Sequence, residues 1–285
     1  MIKILTDTSA NLERKTIDEY SLTVIPFNYT VNGEVGEKDG TEFDGKAFYD
    51  SIRAGADVRT SMINPEEYKD AFEKHLQRGD DVIYIGMSGG ISGSANAAKF
   101  AADELCELYP DRKIAAIDSR AASLGEGLQV IYAAKLLKDG KNFDEIVNMT
   151  LEYSENICQY FTVDDLCHLQ KGGRLSKVAA VVGSLLQIKP ILTGDENGRI
   201  VTCGKARGKK RVLCELADRY GELADDKSAP IGIADADDPS GTDFLLEKLA
   251  EKGFCGEAIR VCYEPVTGSH VGPGAVALFF HGRHK

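Results

Sequence analysis

The 285-residue sequence has no surplus of positive charge. Lys and Arg number 34 against 45 Asp and Glu, a formal net charge of −11. The deficit lies in the first half: residues 1–155 carry 17 basic and 28 acidic side chains, and residues 156–285 carry 17 of each. DNA and RNA are held by clustered Lys and Arg, so this balance argues against a general nucleic-acid binder. No apolar run approaches the ~20 residues that span a bilayer as a helix. Met1-Ile2-Lys3-Ile4-Leu5 reaches Asp7 too soon for a signal peptide. The seven cysteines, scattered from Cys106 to Cys262, include no Cys-x-x-Cys pair, so neither a zinc ribbon nor a thioredoxin-type site is signalled. Odd, scattered thiols suit a reducing compartment, and a cytoplasmic location is expected. A Gly-Lys-Ser/Thr P-loop is missing, as is a dinucleotide fingerprint. No cofactor and no metal site is therefore expected. Internal repeats and low-complexity segments are also lacking.

What is present is an ordinary globular composition, 43% hydrophobic and 28% charged. A chain of this length can bury about 75% of its unfolded surface and needs no disulfide or metal to fold. Ile2–Leu5, Val82–Ile85 and Lys113–Ile117 read as strands, each followed by a helical segment. That alternation predicts a parallel sheet with right-handed crossovers. After about Ile157 the strands Tyr160–Val163, Lys189–Leu192, Arg199–Val201, Ile231–Ala234, Ile259–Tyr263 and Ala275–Phe280 predict a second, mixed sheet, with Asp195–Gly198 as a hairpin turn. Two α/β domains follow, residues 1–155 and 156–285.

The stretch from Val82 to Asn96 organises the first half. An apolar strand runs into Ser88-Gly89-Gly90-Ile91-Ser92-Gly93-Ser94 and then into an alanine-rich helix. Ligands of open α/β sheets sit beyond the carboxyl ends of strands, and a helix N-terminus offers unpaired N–H groups to an anion. Three glycines permit close backbone approach, and three serines add hydroxyls. The pattern suits an anionic headgroup, and also suits a plain helix cap at Ser92 or Ser94. Thr60-Ser61 stands in the same position, in a predicted loop before a helix that starts at Asn64-Pro65-Glu66-Glu67. Two hydroxyl loops could close on one carboxylate.

Other features carry two readings each. Asp7 suits hydroxyl orientation, metal ligation or a loop cap. Asp235, Asp237 and Asp238 suit a divalent metal or the start of helix 240–252. Lys205–Arg211, with five positive charges in seven residues, suits a docking patch or a solvated helix start. Lys177–Ile188 reads as a helix apolar nearly all round, through Val178, Val181, Val182, Leu185 and Leu186. Such a helix is either core or the wall of an apolar cavity.

Together, Thr6-Asp7-Thr8-Ser9-Ala10-Asn11-Leu12, Thr60-Ser61, the Ser88–Ser94 loop, Asp118–Gly127, Lys171-Gly172-Gly173-Arg174-Leu175-Ser176-Lys177, Lys189-Pro190-Ile191-Leu192 and His270-Val271-Gly272-Pro273-Gly274 resemble the DegV family of bacterial fatty-acid-binding proteins, from Ile2 to Phe280. The resemblance implies two α/β domains with a long-chain fatty acid between them. Its carboxylate would be held by Thr60 and Ser92, with Ser61 and Gly93 beside them and His270, on a glycine-rich loop, near the headgroup. Some members present the acyl chain to a separate ATP-dependent fatty acid kinase subunit; Arg174 and Arg207 would be suited to docking it. The sequence departs from the family where Met62, Ile63 and Asn64 follow the Thr-Ser pair. The expected function is a lipid-binding carrier rather than an enzyme. The alternative is a serine hydrolase with Ser92 as nucleophile, His270 as base and Asp235 or Asp237 behind it, although Ser94 replaces the glycine of a nucleophile elbow.

Overall fold

The computed structural model describes residues 1–36, 43–175 and 187–283. Its first sheet is parallel, in the order β2-β1-β6-β7, formed by β1 (Ile2–Asp7), β2 (Thr23–Ile25), β6 (Asp81–Gly86) and β7 (Ile114–Asp118). Pro26 ends the edge strand β2, where its missing N–H costs nothing. A small antiparallel sheet joins β3 (Asn28–Val31), β4 (Glu34–Val35) and β5 (Val58–Ser61). Asn32 and Gly33 turn β3 into β4 with positive φ at both residues. The third sheet is mixed, in the order β10-β9-β8-β13-β11-β12. Its members are β8 (Ile157–Thr162), β9 (Ile188–Gly194), β10 (Ile200–Arg207), β11 (Ile231–Asp235), β12 (Ala258–Cys262) and β13 (Val276–His281).

The helices begin where their capping chemistry places them. α3 (Pro65–Leu76) opens with Asn64 and Glu67 each accepting the other's backbone N–H, and with Pro65 at the first position. α6 (Phe143–Ser154) repeats that reciprocal pair with Asn142 and Glu145. α9 (Pro239–Glu251) is capped by Asp238, which accepts from Gly241. Asp235 accepts from Asp238 N and from Thr242 Oγ1. The three aspartates thus start a helix, and no metal-binding cluster forms among the described residues.

α5 (Leu124–Lys138) lies between the first and third sheets, touching β1 and β6 on one side and β8, β11 and β13 on the other. Its residues are buried around almost the whole circumference, from Leu124 through Val130 to Leu136. A helix with no solvated face must be covered on all sides. Close approach is built in: a Cβ on Gly127 would stand 2.5 Å from Ala10 O, and one on Gly232 would stand 2.6 Å from Leu124 Cβ.

Four expectations change. Thr60 and Ser61 lie on β5 rather than in a loop, with Thr60 opposite Tyr29 of β3. Ile188 begins a strand, so no helix reaches it. His270 sits in the last turn of a short helix, α10 (Pro265–Val271), instead of a glycine-rich loop. The basic run is split: Lys205 and Arg207 end β10, Gly208 turns the chain at φ +85°, and Lys209 starts α8 (Lys209–Leu223). Val178, Val181, Val182, Leu185 and Leu186 lie outside the described residues.

Candidate functional site

The cavity lies between the first and third sheets. It holds about 800 Å³ of empty space, the open solvent at its mouth included. Its walls are mainly apolar, with Phe27, Met87, Ile91, Phe161, Val266 and Phe279 among them. One end gathers polar groups. Thr60, Ser61, Ser92, Arg174 and His270 all line it.

The elements place these groups in turn. β5 carries Thr60 to the cavity edge, and its Oγ1 lies 2.9 Å from His270 Nε2 on α10. β6 delivers the Ser88–Gly93 loop, after which α4 (Ser94–Leu108) begins. Ser92 Oγ donates to Ser94 Oγ at 3.0 Å and accepts from Ser94 N at 3.2 Å. Ser94 Oγ also accepts from Ile63 N at 3.2 Å, which ties the Thr60 segment to the Ser92 loop. Neither serine is the capping residue: Gly93 occupies that position without a side-chain bond. Ser61 lines the cavity, whereas Gly93 stands outside its lining, where a Cβ would meet Met62 Sδ at 2.9 Å.

The glycines of this loop serve contact between chain segments. Gly89, Gly90 and Gly93 all have negative φ. A Cβ on Gly90 would stand 2.4 Å from Asn197 O and 2.6 Å from Gly198 C, at the tip of the β9–β10 hairpin. Ser88 Oγ donates to Gly198 O at 2.9 Å in the same contact. The expected close approach of backbone to ligand is here an approach of one sheet's loop to the other sheet's hairpin.

Arg174 follows α7 (Cys167–Lys171). Gly173 has φ +74°, which turns the chain so that Arg174 Nε donates to Ile91 O at 3.0 Å and Nη1 to Gly172 O at 2.5 Å. A Cβ on Gly172 would stand 2.3 Å from His270 Nδ1, so only glycine leaves the imidazole its place. Burial pushes the Arg174 pKa down, and among the described residues no carboxylate pairs with this guanidinium. A half-buried cation without a counter-ion favours an anionic ligand.

Burial, then the positive charge of Arg174, pushes the His270 pKa down to about 4, so the ring is neutral at pH 7. The unfolded ring, titrating near 6.5, binds a proton that the folded ring refuses. Stability from this residue is complete above pH 6.5 and is lost as pH falls toward 4. Relative to the wild type, His270→Asn should therefore gain about 3 kcal/mol between pH 7 and pH 4. Urea unfolding at the two pH values measures it; a constant difference would mean a solvated ring.

The hydrolase arrangement is not assembled. Ser92 Oγ pairs with Ser94, His270 Nε2 with Thr60, Asp235 with Asp238 and Thr242, and Asp237 with Arg53. Arg207 is exposed on the edge strand β10, outside the lining of the cavity.

The family model described as "Uncharacterised protein, DegV family" matches residues 1–283. The chain belongs to the DegV family. A DegV domain-containing protein of Clostridium perfringens is 36% identical over 99% of this chain and 98% of its own. Among solved structures, a fatty acid binding DegV family protein from Streptococcus agalactiae superposes with a TM-score of 0.87 at 30% identity, covering 100% of this chain and 99% of its own. A Thermus thermophilus DegV family protein, described by its fatty acid binding, gives 0.88 at 27% identity over 99% of each chain. The DegV fold of this chain is thus the observed pair of larger sheets with the cavity between them.

Several groups that line the DegV cavity carry no signal in the sequence. Phe27, Phe161, Tyr263 and Phe279 pass as core strand residues, because an inward apolar side chain looks the same whether it meets protein or a cavity. Gln159 and Arg120 lack a motif. Arg120 has φ +52°, an uncommon value for a residue with a side chain.

Proposed function

We propose that this DegV protein binds a long-chain fatty acid, with the carboxylate at Thr60 and Ser92 and the tail along the apolar cavity. The observation that carries the proposal is the cavity's lining: hydroxyls, a neutral imidazole and a half-buried guanidinium gather around Thr60 and Ser92, and the remaining wall is mainly apolar, with Arg120, Ser123, Gln159 and Thr267 as its other polar members. The two solved relatives described as fatty acid binding support it. A buried carboxylate needs hydrogen-bond donors, whereas each buried methylene contributes about 0.8 kcal/mol without one. Residues 1–155 and 156–285 act here as two lobes that enclose the ligand.

Thr60→Val and Ser92→Ala each remove one hydroxyl from the headgroup. Bonds to charged groups contribute about 1.5–3 kcal/mol, so palmitate affinity should fall roughly tenfold to a hundredfold in each. Isothermal titration checks this. Unchanged affinity in both variants would move the carboxylate elsewhere, and stoichiometric labelling of Ser92 by a fluorophosphonate would revive the hydrolase.

The carrier role extends to presenting the acid to a separate kinase subunit. Lys205 and Arg207 stand exposed on the edge strand β10 and suit an acidic partner surface. Arg207→Glu should leave palmitate affinity unchanged and weaken a kinase-coupled acyl phosphate assay severalfold, with the defect masked at high salt. Equal acyl phosphate formation by wild type and variant would remove this strand from the docking surface.

A further inference from the structure

Behind Ser92 a row of hydroxyls continues into the protein. Ser92 donates to Ser94, and the Ser94 hydroxyl lies close enough to that of Tyr68 to favour its ionised form. The Tyr68 and Tyr84 oxygens are 2.8 Å apart, and Tyr84 donates to Asp7 Oδ2 at 2.6 Å. On its other oxygen Asp7 meets Ser9 N at 2.9 Å and Ser9 Oγ at 2.5 Å. The same Ser9 Oγ lies 2.6 Å from Glu126 Oε2, and Thr6 donates to Glu126 Oε1 at 2.9 Å. From Ser94 to Glu126 the row is sealed from solvent; Asp7 and Glu126 are both 0% exposed.

Counting protons fixes its direction. Ser9 has one hydroxyl proton and two carboxyl oxygens within reach, so one carboxyl must supply the second. Asp7 is met by four donors, namely Ser9 N–H, Ser9 O–H, Tyr84 O–H and Met87 N–H. Burial pushes the Asp7 pKa up and these donors oppose it, whereas Glu126 is pushed up further, so the charge of the pair rests on Asp7. Burial, then the neighbouring Asp7 charge, pushes Glu126 well up, and it is the neutral acid that donates to Ser9. With Asp7 as final acceptor, Tyr84 accepts from Tyr68, Tyr68 from Ser94, and Ser94 from Ser92. Every hydroxyl points inward, and Ser92 Oγ shows the cavity a lone pair.

We propose that this row is a proton relay that takes the acid proton of a bound carboxylic acid and deposits it on Asp7. The proposal rests on Ser92 meeting the headgroup, as above. The headgroup O–H bond breaks and its proton passes to Ser92. Ser92, Ser94, Tyr68 and Tyr84 each hand their own proton to the next oxygen, and an O–H bond forms on Asp7 Oδ2. One proton has moved and none is lost. The row now runs outward, and Ser92 donates to a carboxylate.

The surroundings favour this transfer. Arg174 and His270 face the headgroup, and the Arg174 charge attracts an anion there. Glu126, Tyr84, Tyr68 and, less directly, Glu264 surround Asp7, where burial opposes charge. His270 is the rival acceptor, held neutral by its burial and by Arg174.

The test is titration of the full chain with palmitate at about pH 8, where a free carboxylic acid is ionised. Calorimetry in two buffers of different ionisation enthalpy counts the protons. Infrared difference spectra with carboxyl-13C palmitate separate ligand from protein carboxyl bands. The wild type should take up about one proton per ligand, show the ligand as carboxylate, and gain a protonated protein carboxyl band. Asp7→Asn should lose that band. Tyr84→Phe, which keeps the ring but cuts the row, should lose it too. Wild-type binding as carboxylate without proton uptake would overturn the relay. So would a protein carboxyl band that survives both variants, or uptake abolished by His270→Gln alone. If palmitate fails to bind the wild type, the headgroup assignment itself falls, before any proton is counted.

Discussion

Replacing Arg174 with methionine is expected to cut palmitate affinity roughly tenfold to a hundredfold while leaving the fold intact. The guanidinium stands half-buried in the cavity wall, held by Ile91 O and Gly172 O, with no acidic partner among the described residues. Removing it relieves an unpaired buried charge, so the empty protein should lose little stability or even gain some. The ligand loses a charged neighbour, and interactions of that kind contribute about 1.5–3 kcal/mol. Palmitoyl alcohol supplies the contrast: its affinity should be nearly the same in wild type and Arg174→Met. Titration with both ligands, beside a urea melt, separates the outcomes. Equal losses for acid and alcohol would make Arg174 a packing residue. Unchanged affinity for both, with weakened kinase coupling, would make it a docking residue instead.

Gly90→Val should damage stability and binding together. Its Cβ would stand 2.4 Å from Asn197 O and 2.7 Å from Gly198 O, both backbone atoms. A backbone carbonyl cannot turn aside as a side chain does, so the Ser92 loop and the β9–β10 hairpin must separate. Overpacking costs about 1–3 kcal/mol, and this substitution belongs at the upper end. Palmitate affinity should also fall, because the cavity lies between the separated parts. Gly93→Ala is the control: its clash is with Met62 Sδ, at 2.9 Å, and a flexible methionine can move. Urea midpoints and palmitate titration for both variants decide it. A Gly90→Val protein as stable as Gly93→Ala would mean that the hairpin does not rest on this loop.

Much of the fold was legible because its signals are local. Asn64-Pro65-Glu66-Glu67 announces a helix through its capping chemistry, and Asn32-Gly33 announces a hairpin through positive φ. The repeated strand-then-helix order gives the parallel sheet. Thr60 and Ser92 were legible as hydroxyls before helices, although Thr60 proved to be on a strand. Val58-Arg59-Thr60-Ser61 is too short for its alternation to be clear, and its pairing with β3 is a tertiary fact. His270 was misplaced for a similar reason. Gly268 and the β-branched residues of Pro265–Val271 oppose helix formation, but Glu264 accepts from both Val266 N and Thr267 N and starts the turn.

What the sequence could not display are the distances between segments. Gly90 against Asn197, Gly172 against His270, and Gly127 against Ala10 join residues far apart in the chain, and a glycine says nothing of which neighbour it admits. The Asp7–Glu126 pair is likewise invisible in one dimension. Asp7 reads as a residue that orients a hydroxyl, ligates a metal or caps a loop, and nothing in the sequence singles out Glu126 as its neighbour. Only the burial of α5 between two sheets makes Glu126 a sealed carboxyl that must share protons with its neighbours.

The crystal structure of the chain with palmitate tests the central claim most directly. A carboxylate oxygen should lie within hydrogen-bond distance of both Thr60 Oγ1 and Ser92 Oγ, with the tail running between Phe27 and Phe279. A carboxylate anywhere else would contradict the account. The clearest such result would be a headgroup among Arg219, Thr193 and Glu222, in the separate cleft beside the β9–β10 hairpin.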